Sequence, residues 1–396
     1  MSPYLGQPLL ADRASAGGRY SSGMAEMHGA RRTRAQHQIK AIGADAALVT
    51  SGVNVRYLTG LVSSNAAVLV PADGPSVLCT DSRYAGTAER ECADLELSVQ
   101  REVEAALVTR ALAAGLRTIA FEDRVMTVQR HHTLADPDGD DVVGHSGAAF
   151  ELVPLDGVID DLRIVKDDAE LALLARACEI TGEAFGAVLD RVRPGVTERE
   201  FAVALERAMV DLGADGLAFD SIVASGPNGA IPHHVPGNRP FERGDLVTID
   251  CGAKFAGYHA DMTRTVAIGA PQAWQREIYG LVALAQEAGI AAASAGADVA
   301  DVDSVARDLI EGAGYGGNFT HGLGHGVGLE IHEAPWLGQG KTGTLADRVP
   351  ITIEPGIYLA GAGGVRIEDT LVVRAGTGAA GSAKALTTIT RELLVL

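Results

Sequence analysis

Four acidic residues interrupt apolar runs that otherwise read as β-strands, and no other feature constrains the fold as tightly. Asp250 follows "LVTI", Asp261 precedes "MTRTVAI", Glu354 follows "ITI", and Glu368 lies inside "VRIEDTLVV". Strands disfavour Asp and Glu, and a buried anion must be ion-paired or coordinate a metal. One such residue is most simply a salt bridge or a strand-end contact. Four are harder to neutralise that way, because the basic residues near these strands are only Arg243, Lys254, Arg264, Arg348 and Arg366. Two divalent cations would balance the four carboxylates, and one neutral imidazole would complete a dinuclear donor set. Two metals about 3.5–4 Å apart can share bridging carboxylates and hold a water whose pKa falls towards ~7. Oxygen-rich ligation favours Mn²⁺ over Zn²⁺ on softness grounds, with Co²⁺ or Zn²⁺ as alternative occupants.

The obvious source of the imidazole is "HGLGHGVGLEIHE", His321 to Glu333. His321 and His325 are four apart, a spacing that suits a metal clamp on a helix. Gly322, Gly324, Gly326 and Gly328 argue against a helix, since each costs about 1 kcal/mol against alanine. A zincin motif also fails, because neither Gly322 nor Leu323 supplies its glutamate. In an extended segment His321 and His325 share one face and the glycines occupy the other. A glycine face lets a second backbone approach closely. Either histidine can be the ligand, and spacing alone does not choose.

The rest of the chain sets the frame. At 396 residues two domains are expected. A hydrophobic content of 47% and a charged content of 21% fit a globular protein with a sizeable core. The net charge of −18 argues against a nucleic-acid binder and against an anionic membrane surface. No apolar run approaches the ~20 residues of a membrane span. The cysteines, Cys79, Cys92, Cys178 and Cys251, form no CxxC pair, so zinc knuckles and a disulfide framework are disfavoured and a reducing cytoplasm fits best.

Residues 1–23 read as a flexible tail. The first third then alternates helices (near 24–42, 81–93 and 101–114) with strands (46–49, 65–70, 76–80 and 118–122). This predicts an α/β domain over 24–157, with an acidic loop at 136–147. A boundary falls within 155–170. The second domain, 158–396, combines helices near 168–192, 197–212, 272–294 and 299–313 with strand pairs at 246–269 and at 349–359 with 364–373. Thr197 and Glu200 form a capping box. This is an α+β arrangement on a largely antiparallel sheet.

The blocks "TIDCGAKFAGYHADMTRT", "HGLGHGVGLEIHE", "TIEPGIY" and "GVRIEDT" resemble, in order and spacing, the pita-bread metallopeptidases, which include methionine aminopeptidases, aminopeptidase P and prolidases. "VRYLTGLVSSNAAVLV" and "TDSRY" resemble the creatinase-like N-terminal domain of the proline-specific branch. The resemblance implies an α/β creatinase-like domain followed by an α+β pita-bread domain with a largely antiparallel curved sheet. It places Asp250, Asp261, His325, Glu354 and Glu368 on the five metal-ligand positions, with Asp261 and Glu368 bridging and Glu354 also a general base. It gives His233 a contact near the scissile amide, His332 a catalytic role on the tetrahedral intermediate or leaving group, and His321 a place in the proline pocket. Arg366 would orient a metal-bound carboxylate or meet the peptide's carboxyl group.

The implied activity is hydrolysis of an amino-terminal Xaa-Pro bond in proline-containing peptides. The short bacterial form leans to an Xaa-Pro aminopeptidase, with Xaa-Pro dipeptidase, or prolidase, as the alternative. A methionine aminopeptidase has no need of the N-terminal domain. Creatinase works without metal, and a binding module need not keep all five ligands. The two-domain relatives also imply a homodimer. His234 is expected on a loop or the surface, His259 is second shell or merely exposed, and Cys251 belongs to the packed core.

Overall fold

The structure is a computed structural model that describes residues 13–135, 150–376 and 383–396, with the side chains described from residue 26 onward. The chain divides into two compact units, Met1–Leu162 and Arg163–Leu396. The division falls inside the stretch 155–170 marked by the sequence.

The first unit is built on six strands: β1 (Ala46–Val49), β2 (Ala66–Pro71), β3 (Val77–Thr80), β4 (Glu96–Val99), β5 (Thr118–Phe121) and β6 (Glu151–Pro154). They form one mixed sheet in the order β4-β3-β2-β1-β5-β6. Every residue of β1 and β3 is buried, so the centre of the sheet is covered on both faces. The helix Val103–Ala113 packs Leu107, Val108 and Ala111 against Leu48, Leu69 and Cys79. The sequence pattern missed β4 and β6. Both are short and only half-buried, so their apolar signal is weak. The helix expected from residue 24 starts at Arg13, so part of the expected flexible tail is helical. Residues 1–12 and the acidic loop 136–147 lie outside the described residues.

The second unit carries the helices Asp168–Val188, Glu198–Asp211, Ala273–Ala292 and Val299–Gly312. The capping box at Thr197 and Glu200 is present, and Asp167 with Glu170 forms another. The strands are β7 (Gly216–Leu217), β8 (Ile222–Ser225), β9 (Leu246–Cys251), β10 (Ala253–Phe255), β11 (Tyr258–His259) and β12 (Met262–Ala267). They continue with β13 (Gly324–Gly326), β14 (Glu333–Leu337), β15 (Pro350–Ile353), β16 (Gly356–Leu359), β17 (Gly363–Arg366), β18 (Asp369–Val372) and β19 (Lys384–Ala385).

All strand pairs described in this unit are antiparallel. The two late apolar runs are not single strands. β15 pairs with β18, with Ile353 opposite Asp369, while β16 pairs with β17, with Gly356 opposite Arg366. Each run breaks between its two strands, at Glu354–Pro355 and at Ile367–Glu368. Helices Ala273–Ala292 and Val299–Gly312 cover this ladder through Ile278, Val282, Val302 and Ala306, packed on Ile351, Ile353, Ile357 and Val365. Helices Asp168–Val188 and Glu198–Asp211 cover β9 and β12 through Phe185, Phe201 and Leu205. Among the described residues no helix is long and apolar enough to cross a membrane.

Candidate metal centre

The fold delivers each acidic residue from a place where the ladder is interrupted or ends. Glu354 and Glu368 occupy the two matched breaks, where Pro355 ends the first ladder because it cannot donate to it, and where the backbone N–H groups of the two glutamates pass to Leu323 and Thr263, at 2.8 and 3.1 Å. Asp250 is the penultimate residue of β9, opposite Thr263 on β12 and Ile222 on β8. Asp261 immediately precedes β12. His325 is the middle residue of β13, held between β14 and β15. A Cβ on Gly324 would land on the carbonyl oxygen of Thr352, and one on Gly326 on that of Ala334. The glycines beside His325 therefore let two neighbouring backbones close in. The segment is extended, not helical, and β13 spans only three residues, with a register shift after His325.

These residues converge. Ligating atoms of Asp261, His325 and Glu368, all buried, lie within 4.8 Å of one another. His325 Nε2 is 3.4 Å from Glu354 Oε1 and 3.6 Å from Asp261 Oδ2. His325 Nδ1 faces the carbonyl of Gly326 at 3.0 Å, where only an N–H can bond. Nε2 is then the unprotonated nitrogen, and its lone pair faces two carboxylates. The backbone N–H of His325 donates to Thr352 Oγ1 at 3.1 Å. Thr352 Oγ1 in turn approaches Glu354 Oε1 at 3.4 Å.

The electrostatics are those of a site short of positive charge. Burial, then Glu368, Asp250 and Glu354, pushes the Asp261 carboxyl well above the usual range. Burial, then Glu354 and Asp250, does the same to Glu368. Burial raises Glu354 to about 8. Burial also lowers His325 to about 4, so the imidazole is neutral at pH 7. Among the described residues, Asp250 Oδ1 is buried with no hydrogen-bond partner. A lone pair aimed at acceptors, an orphaned carboxylate oxygen and unpaired buried acids are the marks of a cation site. The donor set, four carboxylates and one imidazole, fits a pair of divalent ions.

Two of the cations near these strands are committed elsewhere. Arg264 binds Asp369 at 2.7 Å and Arg348 binds Asp168 at 2.7 Å. Arg366 binds Asp250 Oδ2 at 2.7 Å, and also donates to Thr263 Oγ1 at 3.1 Å and Tyr358 Oη at 2.9 Å. Arg366 is buried, so of the two roles expected of it, its contacts match the orienting of Asp250.

A cavity of about 830 Å³ opens over this floor, and all nine residues named from the sequence line it. His233 and His332 stand exposed on its walls. The His332 ring lies 4.5 Å from that of His325, edge-on, and 6.5 Å from Trp336. Partial desolvation by the cavity walls, then the neighbouring His233, lowers the His332 pKa. His321 Nδ1 faces the Gly322 carbonyl at 2.8 Å, so Nε2 accepts from Tyr358 Oη at 2.9 Å. Burial, then Arg366, lowers His321 to about 4. Phe219, Ile231, Ile331 and Trp336 supply apolar lining.

Sequence reasoning missed several contributors. Tyr358 links His321 to Arg366, and Thr263 donates to Glu368 Oε2 at 2.7 Å while accepting from Arg366. Both sit inside the quoted blocks, but a hydroxyl carries no spacing signal of its own. Glu333, next to His332, is buried and clamped by Lys166 and by Arg163 at 2.6 Å. This pairing spans 167 residues of chain for Lys166, beyond any local pattern. His234 lies on a loop, as expected, and is half-buried. Its Nε2 lies 2.8 Å from Glu198, a fully buried carboxylate that also accepts from Ser225, Asn228 and Gly237. A buried anion recruits every donor within reach, and His234 is one. His259 does not line the cavity. Its backbone N–H and Nδ1 both meet the Gly328 carbonyl, at 2.9 and 3.1 Å. Cys251 is fully buried in the core beside Ile249 and Met262, as expected.

Comparison with known proteins agrees with this geometry. Residues 172–375 match metallopeptidase family M24, and residues 31–165 match the Creatinase/Prolidase N-terminal domain. An Xaa-Pro dipeptidase of Pyrococcus furiosus is 46% identical over 244 residues, 62% of this chain and 69% of that protein. The solved structure of an Xaa-Pro dipeptidase from Bacillus anthracis covers 93% of this chain and is itself covered completely, at 33% identity and a TM-score of 0.85. An X-Pro aminopeptidase from Thermotoga maritima covers 91% of this chain, with 100% of its own covered, at 34% identity and a TM-score of 0.81. With the carboxylate and histidine cluster in place on a two-domain pita-bread architecture, the chain belongs to metallopeptidase family M24 and is a hydrolase of that class.

Proposed function

We propose that this protein is an Xaa-Pro dipeptidase that hydrolyses the bond between an amino-terminal residue and proline. The observation that supports it most is the likeness, over nearly the whole chain, to the Bacillus anthracis Xaa-Pro dipeptidase, joined to a complete donor set on the floor of one cavity. The sequence alone leaned towards the aminopeptidase. The Pyrococcus furiosus relative, itself an Xaa-Pro dipeptidase, moves the reading to its alternative.

In this reading Asp250, Asp261, His325, Glu354 and Glu368 hold two divalent ions, with Mn²⁺ the preferred occupant. Such ions would neutralise the carboxylates, polarise the scissile carbonyl and lower the pKa of water to near 7. The chain's own groups do the rest. Glu354 accepts a proton from the attacking water and passes it to the departing proline nitrogen. His332, neutral at pH 7, donates a hydrogen bond to the carbonyl oxygen as it gains charge. His233 orients the amide from the cavity wall, and His321, held by Tyr358, lines the proline side. Arg366 keeps Asp250 in place. The water's oxygen joins the carbonyl carbon, the C–N bond breaks, and a free amino acid and proline leave.

The test is a parallel assay of Mn²⁺-loaded protein on Ala-Pro and Ala-Pro-Ala. A higher kcat/KM on the dipeptide is expected. Cleavage of the tripeptide alone would replace this reading with the Xaa-Pro aminopeptidase, which the Thermotoga maritima likeness favours. Cleavage of neither, with two ions per chain confirmed, would sink both. The reading also carries a homodimer, measured as mass in solution.

A further inference from the structure

The charge lining the cavity is lopsided. Asp250, Asp261, Glu354 and Glu368 face two permanent cations, Arg366 and Lys341. Arg366 is buried and spends its guanidinium on Asp250, Thr263 and Tyr358. Lys341 is different. It is exposed, it lines the cavity, and among the described residues its ammonium has no hydrogen bond or ion pair.

Its place is set by a tight turn. The Lys341 N–H donates to the Gly338 carbonyl at 3.2 Å, and Gly340 takes a φ of +70°. A Cβ on Gly338 would stand 3.5 Å from the Cα of Gly322 and 3.6 Å from Lys341 Cγ. So the turn rests on Gly322, and the lysine stem folds back over Gly338. Gly322 follows His321, so the turn borders the His321 wall, where Thr320, Gly338 and Lys341 complete the lining.

A dipeptide ending in proline carries its carboxylate one carbon from the nitrogen that becomes the leaving group. On the leaving side it must come to rest against a wall. With the floor carboxylates and Arg366 committed to one another and to the ions they would hold, the uncommitted ammonium of Lys341 on its flexible stem is the lining cation left to pair with it. A peptide continuing past proline presents a neutral amide at that point and gains nothing from the cation. We propose that Lys341 is a specificity-determining residue that pairs with the free carboxylate of the substrate's carboxy-terminal proline and so favours dipeptides over longer peptides. This rests on the Xaa-Pro reading and deepens it.

The experiment compares metal-loaded wild type with Lys341→Ala, Lys341→Glu and Lys341→Arg on Ala-Pro and on its amide, Ala-Pro-NH2. Lys341→Ala should raise KM for Ala-Pro about five- to tenfold, the size of a partly solvated charge pair, with kcat within about twofold. The amide should change little. Lys341→Glu should do more on the dipeptide, and Lys341→Arg should stay near wild type. In the wild type the KM for Ala-Pro should rise with salt, and in Lys341→Ala it should not. An unchanged KM for Ala-Pro in both Lys341→Ala and Lys341→Glu would overturn the assignment while leaving the dipeptidase reading intact. Equal changes on dipeptide and amide would do the same. If wild type turns over neither compound with two ions bound, the dipeptidase reading falls and the assignment with it.

Discussion

Glu368 and Asp369 are neighbours in the chain, both are essentially inaccessible to solvent, and their electrostatics are opposite. Asp369 is saturated. It accepts from Arg264 at 2.7 Å, Arg391 at 2.5 Å, Gln286 at 2.8 Å and Thr387 at 2.5 Å. Burial opposes its ionisation, but Arg264 and Arg391 outweigh burial and hold the carboxyl below the usual range. Among the described residues the Glu368 carboxylate accepts from Thr263 alone, and burial with its acidic neighbours pushes its carboxyl well above the usual range. The two residues straddle the point where the ladder changes partners, so they open onto different surroundings. The difference teaches that a buried acid is not in itself a metal signal. What marks Glu368 is the missing countercharge, and the arginine that might have supplied it, Arg264, is spent on Asp369.

The sharpest way to break this contrast is to remove a ligand. His325→Ala or Glu368→Gln should reduce bound metal from two ions to one or none and lower kcat/KM by about 10³-fold or more, measured by elemental analysis beside the peptide assay. His332→Ala tests the other end of the same stretch. It should lower kcat by about 10²–10³-fold while leaving metal bound, because His332 stands on the wall and not among the converging ligand atoms. Equal metal loss in His325→Ala and His332→Ala would erase that division. Asp369→Asn should act on stability instead. It leaves Arg264 and Arg391 facing a neutral amide in the core, at a cost of about 3–5 kcal/mol in denaturant unfolding, with metal content retained in the folded fraction.

The contrast also has a pH signature. In metal-free protein the folded state keeps a proton on Glu354 that the unfolded chain releases, since Glu354 is raised from its ordinary 4.5 to about 8. More protons bound in the folded state means that stability falls as pH rises between these values. The Tm of metal-free wild type relative to metal-free Glu354→Gln should therefore decline from about pH 5 to pH 8, the comparison cancelling the opposite slope of the buried histidines. Metal-loaded protein should show no such slope. Asp369 has the opposite sign. Its depressed pKa gives stability that is present above the unfolded value near ~3.9 and is lost as pH falls through the folded one. A Tm difference between wild type and Glu354→Gln that stays constant from pH 5 to pH 8 would contradict the placement of Glu354.

The contrast explains what the sequence could and could not convey. The four carboxylates were legible because an acid inside an apolar run is conspicuous, and the start of helix Glu198–Asp211 was legible through its cap at Thr197 and Glu200. The glycines beside His325 were legible as an extended segment in close backbone contact, because a Cβ has nowhere to go there. Choosing His325 over His321 took the family resemblance, since four-residue spacing treats them alike. Asp369 was overlooked because its partners, Arg264, Gln286, Thr387 and Arg391, are scattered over more than a hundred residues. The break near Pro355-Gly356 was legible from the proline, whereas the break at Ile367–Glu368 was hidden because an apolar run looks continuous even when its hydrogen bonds pass to another partner strand. His234 lies on a loop as expected, but its tie to Glu198 was hidden because loop position says nothing about a buried carboxylate reaching for donors.

The smallest expected effect probes the same adjacency on another strand. Asp250 and Cys251 repeat the pattern of Glu368 and Asp369, one side chain lining the cavity and the next one packed away from it. Side chains alternate along β9, so the Cys251 thiol enters the core with Ile249 behind it in the cluster, and burial followed by Asp250 and Asp261 raises its pKa well above the ordinary thiol value. A thiol held neutral in that way is a small apolar filler and neither a ligand nor a nucleophile. Cys251→Ala should therefore cost only about 1 kcal/mol of stability for the atom removed from a packed core, with two ions still bound and kcat/KM within about twofold. Loss of an ion in Cys251→Ala would mean that sulfur reaches the cavity floor, and the rule that separates the two neighbours would fail at the strand where it is simplest.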